Sequence, residues 1–298
     1  MKIEIADTLV RDAIPKWEKW LPSVASSSTV QSHTSYVRLW AMKTGAWIEY
    51  CHEIDEAWIS PWVNAQGLKV TTRGIRLAAL RSFFKYCTVK QHCISDPTKL
   101  VRVTLDGLTH EQKETRKKKC FTEEEFAAVI NHLSGRISYL SGLKNPTKLH
   151  KIKLVNFKFW KSAALFGRYA GLRMGDIAQL EWACFKTPGK LTVWTDKKDR
   201  RVELDMTPHL ESAAALIEIV GKTYCFPAFR KLELDKKRRA KLSSQFGRIL
   251  VGAKVGGHSF HDLRHTRITE CVKLGIPMPL VSQMHGHGDE RSTLTYVH

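Results

Sequence analysis

The stretch SFHDLRHT, residues 259–266, combines a helix start with three basic side chains. Its Ser and Asp, three residues apart, form a capping pattern that places His261 in the first turn of a helix. His261, Arg264 and His265 are spaced i, i+3 and i+4, so we expect them to share one helix face. Two imidazoles and a guanidinium at a helix N-terminus favour a bound phosphate, and a solvated polar face is the plain alternative.

A second basic segment precedes it, GLRMGDI at residues 171–177. It places Arg173 between two glycines directly after a predicted helix. A tight turn that presents one Arg suits phosphate binding, and Asp176 can orient the groups around it. An ordinary helix end with a surface Arg would give the same pattern.

The turn TDKKDRR, residues 195–201, lies between two short stretches typical of paired strands and predicts the tip of a β-hairpin. A Lys at this tip, Lys197 or Lys198, could reach into a nucleic-acid groove or donate a proton. A charged turn that is merely solvated remains the alternative.

The last segment is MHGHGD, residues 284–289, followed by Tyr296. His285 and His287 flank a glycine, but with no Cys pair or carboxylate cluster beside them they make a weak metal site. Tyr296, taken alone, would be a packing residue.

The order and spacing of these segments closely resemble the signature of the tyrosine recombinases, the phage integrase family. The resemblance rests on GLRMGDI, HDLRHT and the HGH of QMHGHGDERSTLTYVH, with His287 nine residues before Tyr296. The N-terminal part resembles the family's core-binding domain through SYVRLWAMKTGAWIEY, GIRLAALRSFFKYC and SDPTKL. Together, the resemblance to the family covers residues 28–298.

This resemblance implies a mainly α fold with a small antiparallel sheet (α+β) and a two-domain architecture. We expect an N-terminal segment at 1–27, a helical core-binding domain at 28–105, a basic linker at 106–120 and a catalytic domain at 121–298. Apolar periodicity and capping residues predict the elements. They are helices at 31–50, 70–90, from Thr122, 151–170, from Pro208, 239–252, 259–274 and 279–285, and strands at 191–195 and 200–204.

The resemblance also implies the chemistry. Tyr296 would attack a DNA phosphate and form a 3′-phosphotyrosine, with Arg173 and Arg264 neutralising the transition state and Lys197, favoured over Lys198, as general acid. His261 would help remove the tyrosine proton and His287 would bond a phosphate oxygen. Asp176, where the family more often has Glu, would support the site, and His265 would be structural. Strand exchange through a Holliday junction would need no ATP, metal or other cofactor.

The charge balance favours a polyanionic partner, because 48 Lys and Arg face 29 Asp and Glu and give a formal net charge of +19. Double-stranded DNA is the partner that we predict, bound mainly through phosphates and therefore sensitive to salt. The predicted DNA contacts are Arg73, Arg76, Arg81 and Lys85 on the second helix, and Lys117, Lys118 and Lys119 in the linker.

The seven cysteines are scattered and form no C-x-x-C pair, which favours a reduced, cytoplasmic compartment over a disulfide framework. Charges interrupt the first dozen residues, where a signal peptide would be apolar. We therefore predict a cytoplasmic protein with no membrane partner.

The assembly is expected to be a tetramer that forms on DNA, with accessory DNA-bending proteins as further candidate partners. Only Val297 and His298 follow Tyr296, where family members usually carry a segment that packs into a neighbouring subunit. Either the chain is truncated, or its subunits join through other surfaces. If the sequence is complete, we expect the free protein to be a monomer. A type IB topoisomerase-like activity, a catalytically silent DNA-binding protein and a metal-dependent nuclease are the alternative functions, and a mobile element is a candidate source of the gene.

Overall fold

The computed structural model describes residues 6–104, 119–195, 200–235 and 240–286. The chain divides into two compact units, Met1–Thr115 and Arg116–His298. Helices dominate both, and the described residues hold a single two-stranded antiparallel sheet. This confirms the predicted fold class. No helix in the described ranges is long and apolar enough to cross a membrane.

Among its described residues, 6–104, the N-terminal unit contains four α-helices: α1 Val10–Trp20, α2 Ser27–Thr44, α3 Glu56–Val63 and α4 Val70–Val89. α2 begins where the Ser26 side chain accepts a hydrogen bond from the Thr29 N–H. It ends at Gly45, whose φ of 82° is a left-handed conformation that glycine adopts without a steric penalty. The predicted helix at 31–50 therefore ran too far, while α4 matches its prediction to within one residue.

Aromatic side chains from three helices build the core of this unit. Trp17 of α1 packs edge to face on Phe83 of α4, with ring centroids 5.6 Å apart, and Trp40 of α2 makes the same kind of contact with Phe84. Because α1 lies in this core, the predicted boundary at residue 28 does not separate residues 10–20 from the helical unit. Four buried residues on one helical face carry that signal: Val10, Ala13, Ile14 and Trp17.

The C-terminal unit contains eight further α-helices among the described residues. They are α5 Glu123–Ser141, α6 Lys148–Leu165, α7 Met174–Ala178, α8 Pro208–Ala215, α9 Pro227–Leu234, α10 Ala240–Gly252, α11 Phe260–Lys273 and α12 Met278–Met284. Strands β1 Lys190–Thr195 and β2 Arg200–Asp205 form the predicted hairpin, with Val193 opposite Val202.

Helix α6 lies at the centre of this unit. Its second half is buried among aromatic rings. The centroid of the Trp160 ring lies 4.7 Å from that of Phe229 and 5.7 Å from that of Phe246. The helix continues into one π-helical turn, Phe166–Ala170, and ends at Gly171 as predicted. The sequence patterns missed α9, because only Phe229 of this short helix is fully buried and its periodicity is weak.

Candidate active site

One buried arginine joins segments that are far apart in the sequence. Arg264 of α11 donates one hydrogen bond to the Gly171 carbonyl oxygen, at 2.5 Å, and another to the His285 carbonyl oxygen. Its side chain is embedded, since the residue is only 2% exposed. The planar guanidinium suits this two-point contact. Arg264 therefore brings together the GLRMGDI, HDLRHT and HGH motifs.

Gly171 sits against His285 so closely that no side chain fits. Its φ of 64° is left-handed, and a Cβ atom built there would lie 2.5 Å from His285 Cδ2. Both the backbone conformation and this contact require glycine. The glycine of the motif therefore serves packing as well as the turn.

Arg173 and Asp176 are in direct contact at the start of α7. The Asp176 carboxylate accepts a hydrogen bond from the Arg173 backbone N–H at 3.2 Å and lies 3.7 Å from the Arg173 Nη1 atom. Asp176 is 2% exposed, while the Arg173 side chain retains 23% exposure. The carboxylate thus holds Arg173 from within a helix-capping arrangement, where the short reach of Asp is sufficient.

The hairpin meets the end of α12 at Gly286. This glycine has a φ of 59°, and a Cβ atom there would lie 3.1 Å from Thr195 Cγ2 and 3.4 Å from Val202 Cγ2. Thr195 is the last residue of β1, directly before the turn that carries Lys197 in the sequence. The hairpin turn TDKKDRR, a fourth motif segment, therefore begins next to Gly286, the residue that follows His285.

The rings of His261 and His265 are in edge-to-face contact on the first turns of α11, with their centroids 4.5 Å apart. His261 is exposed and His265 partly buried. The expectation that Arg264 presents the same polar face is corrected, because Arg264 points inward to the two carbonyl oxygens. No pattern of spacing reveals those partners.

Several predicted site residues lie outside the described residues. They are Lys197, Lys198, His287 and Tyr296, together with Lys117 and Lys118 of the linker. Their predicted roles stay predictions. Among the described residues, no group of three or more His, Cys, Asp or Glu could hold a metal ion.

A buried ion network that the sequence patterns did not reveal fixes the turn before Gly171. Arg168 of the π-helical turn bonds both carboxylate oxygens of Glu270 on α11, at 2.7 and 2.5 Å, and also bonds Glu123 of α5. Burial alone would lower the pKa of Arg168, but hydrogen bonds and charge attraction from Glu270 and Glu123 raise it above its usual value. The signal in the sequence is an arginine inside the otherwise apolar run AALFGRYA.

The sequence model of the phage integrase family matches residues 156–298, a range that holds GLRMGDI, the turn TDKKDRR, HDLRHT and the HGH segment with Tyr296. This segment, just under half of the chain, is a phage integrase domain. Its enzyme class is that of the tyrosine site-specific recombinases. No curated protein matches the sequence.

Three solved structures show how far the recombinase fold extends along the chain. A lambda integrase (75–356) dimer bound to a COC′ core site is 15% identical with a TM-score of 0.66, covering 94% of this chain and 95% of that one. The XerH recombinase bound to difH is 15% identical with a TM-score of 0.64, covering 99% and 95%. The Tn1549 transposon integrase is 12% identical with a TM-score of 0.65, covering 96% and 94%. At these identities the likeness shows the fold.

The predicted DNA contacts on α4 of the recombinase separate into two groups. Arg73 is 4% exposed and donates to the Thr104 carbonyl and hydroxyl oxygens, so it is withdrawn as a DNA contact. Arg76 is partly buried, donates to the Trp62 carbonyl oxygen and lies over the Trp62 ring.

Arg81 and Lys85 are exposed and remain candidates for DNA contacts. Lys119 is exposed and donates to the Gly257 carbonyl oxygen.

We expect Arg73→Ala to lower the free energy of unfolding by about 1–3 kcal/mol, because it leaves the partly buried acceptors of Thr104 without their donor. Lys85→Ala, on the exposed face of the same helix, should change stability by less than about 0.5 kcal/mol and weaken DNA binding instead. Urea unfolding and fluorescence anisotropy on duplex DNA measure the two effects. Equal unfolding midpoints for the two variants would contradict the structural role of Arg73.

Proposed function

We propose that this recombinase cleaves and rejoins DNA strands at specific sites through a covalent 3′-phosphotyrosine at Tyr296. The observation that carries the proposal is the pair of hydrogen bonds from Arg264 to the Gly171 and His285 carbonyl oxygens, called the Arg264 fork below. These two bonds hold three motif segments together. Further support comes from DNA-bound neighbours of the same fold, which include XerH on its difH substrate and the Tn1549 integrase on a circular intermediate DNA.

In the cleavage step, the Tyr296 oxygen attacks the scissile phosphorus and the bond from phosphorus to the 5′-oxygen breaks. The tyrosine proton leaves with help from His261, since a phenol with an ordinary pKa near ~10 is little ionised at neutral pH. Lys197 donates a proton to the departing 5′-oxygen. His287 bonds a non-bridging oxygen of the phosphate. The phosphate ester passes to the tyrosine, so no ATP is consumed and no metal is required.

The two arginines have different tasks in this scheme. Arg173 keeps part of its side chain exposed and can contact the phosphate oxygens as negative charge grows on them. Arg264 is committed to two carbonyl oxygens through two of its five N–H groups. It contributes a buried positive charge close to the phosphate and holds the turn that presents Arg173.

Rejoining reverses the chemistry on a new strand. The 5′-hydroxyl of a partner strand attacks the phosphotyrosine, the tyrosine oxygen leaves, and two such rounds pass through a Holliday junction. A lambda integrase tetramer has been solved on a Holliday junction. We extend the same assembly to this chain, as a tetramer that forms on DNA.

Besides the basic residues of α4 and the linker, the basic stretch at residues 126–175 supports DNA as the partner. No Asp or Glu occurs from Phe126 to Gly175, and nine Lys and Arg do. Four exposed lysines of this stretch make no ion pair with any described residue: Lys144, Lys148, Lys151 and Lys153. Such a surface gives phosphate-based, salt-dependent affinity.

Covalent capture tests the proposed function on DNA whose target sequence need not be specified in advance. The protein is incubated in EDTA with nicked duplexes that carry a randomised region, and SDS-resistant adducts are isolated and sequenced. We expect adducts joined through the 3′-phosphate and enriched in one sequence. Adducts without sequence preference would favour topoisomerase-like relaxation, and the absence of adducts would leave a DNA-binding protein.

The general acid can be assigned by changing the leaving group. Lys197→Ala should slow cleavage of ordinary DNA by about 100- to 10,000-fold. A 5′-bridging phosphorothiolate has a leaving group that needs no proton, so it should restore the rate of this variant. Lys198→Ala is the matched control and should cleave both substrates nearly as fast as the wild type. Rescue of Lys198→Ala instead would move the role to the neighbouring residue.

A further inference from the structure

The HGH motif carries an imidazole that the proposed mechanism does not use. His285 follows α12 directly and is 3% exposed. Its main-chain N–H donates to the Val281 carbonyl oxygen at 3.2 Å, and its Nδ1 atom lies 2.9 Å from the same oxygen. Because a carbonyl oxygen only accepts hydrogen bonds, Nδ1 carries the proton. The ring is thus folded back onto its own helix in one defined orientation.

The opposite edge of the ring faces Gly171. The Cδ2 and Nε2 atoms of His285 lie 2.5 and 2.7 Å from the position that a Gly171 Cβ would occupy. Arg264 bridges the same two residues through their carbonyl oxygens. The imidazole and the guanidinium therefore span the same gap in two different ways, one by packing and one by hydrogen bonds.

This geometry makes the ring a spacer. It sets how closely the end of α12 approaches the Gly171 turn, and the Arg264 fork fits only the resulting separation of the two carbonyl oxygens. Gly286, the next residue, rests on Thr195 of the hairpin. In the sequence, His287 comes directly after Gly286, and Tyr296 comes nine residues after His287. Displacements of about 1 Å at such supporting positions can cost about 100-fold in rate.

We propose that His285 is a positioning residue for strand cleavage. It acts through Arg264 and the Gly171 turn, touches no DNA, and requires the Nδ1 hydrogen bond to Val281. The inference rests on the proposed function and adds a role for the first histidine of the HGH motif.

Two substitutions separate the hydrogen bond from the volume of the ring. His285→Leu fills much of the space but cannot donate to Val281, while the side-chain amide of His285→Asn can take the place of Nδ1. We expect His285→Leu to lower the single-turnover rate constant of adduct formation by about 100-fold at saturating protein, and His285→Asn to recover at least about tenfold of that loss. The DNA Kd should stay within about twofold of the wild type for both variants.

A matched control is His92→Leu, in the N-terminal unit. His92 is also a buried histidine, with Nδ1 3.0 Å from the Thr8 hydroxyl oxygen. This variant should lose thermal stability without losing cleavage rate. The positioning role is wrong if His285→Asn is as slow as His285→Leu, if both cleave at the wild-type rate, or if DNA affinity falls in parallel with the rate.

A second readout is independent of activity. Urea unfolding of His285→Leu, Arg264→Lys and the double variant forms a mutant cycle. We expect the two substitutions to be non-additive, because the ring and the guanidinium support the same gap. Additive effects would overturn the inference. Wild-type protein that forms no adducts would refute the proposed function, while the cycle would still decide whether His285 and Arg264 act together.

Discussion

Tyr296→Phe is expected to abolish covalent protein–DNA adducts on a nicked suicide substrate while leaving folding and DNA affinity nearly unchanged. The substitution removes the one oxygen that would attack the phosphorus, and the phenyl ring that replaces it has no nucleophilic atom. Denaturing gel electrophoresis of end-labelled DNA measures the adduct, and fluorescence anisotropy measures binding.

Tyr139→Phe is the matched control for this loss. Tyr139 lies on α5 and is exposed, so removal of its hydroxyl should change neither adduct formation nor binding. Adducts that persist at the wild-type level in Tyr296→Phe would refute the central assignment. Loss of adducts together with loss of folding would be recognised from the thermal unfolding curve.

Arg264→Ala is expected to damage both the chemistry and the fold. Removal of its charge should slow cleavage by about 100- to 1000-fold, the scale of one lost transition-state donor. In addition, the carbonyl oxygens of Gly171 and His285 would lose a buried donor, which should lower the free energy of unfolding by about 1–3 kcal/mol or more. Single-turnover cleavage and urea unfolding measure the two effects separately.

Arg248→Ala provides the control, because Arg248 is an exposed arginine on α10 and its loss changes the net charge by the same amount. It should retain the wild-type cleavage rate and stability. Arg264→Lys keeps the charge but cannot form the two-point fork, so it should recover only part of the rate. An Arg264→Ala protein that loses cleavage with unchanged stability would show that the carbonyl contacts contribute little.

The elements that sequence patterns predicted well are those specified by local interactions. Thr122 and Glu125 form the capping box that starts α5, and Gly171 ends the long helix through α6 in a left-handed conformation. The β1–β2 hairpin also follows from residues next to its turn. In each case the residues that determine the structure lie within a few positions of one another, so the sequence alone contains the signal.

The features that were missed depend on partners far away in the chain. Arg73 and Arg264 occur in patterns typical of exposed basic residues, yet both are buried against carbonyl oxygens 31 and 93 residues away. Similarly, Arg168 finds Glu270 across 102 residues. Sequence spacing assigns a side chain to a helix face, but only packing decides whether that face meets solvent or a buried acceptor.

The π-helical turn Phe166–Ala170 has a consequence for how insertions and deletions act on this domain. A π turn accommodates one residue more than an α turn, so it absorbs a shift in phase between the helix before it and the chain after it. Removing one residue upstream in α6 would otherwise rotate everything downstream by about 100°. The direction in which the Arg173 side chain points therefore depends on the extra residue in the π-helical turn. We expect a one-residue deletion in α6 and a one-residue deletion after Gly171 to have different effects.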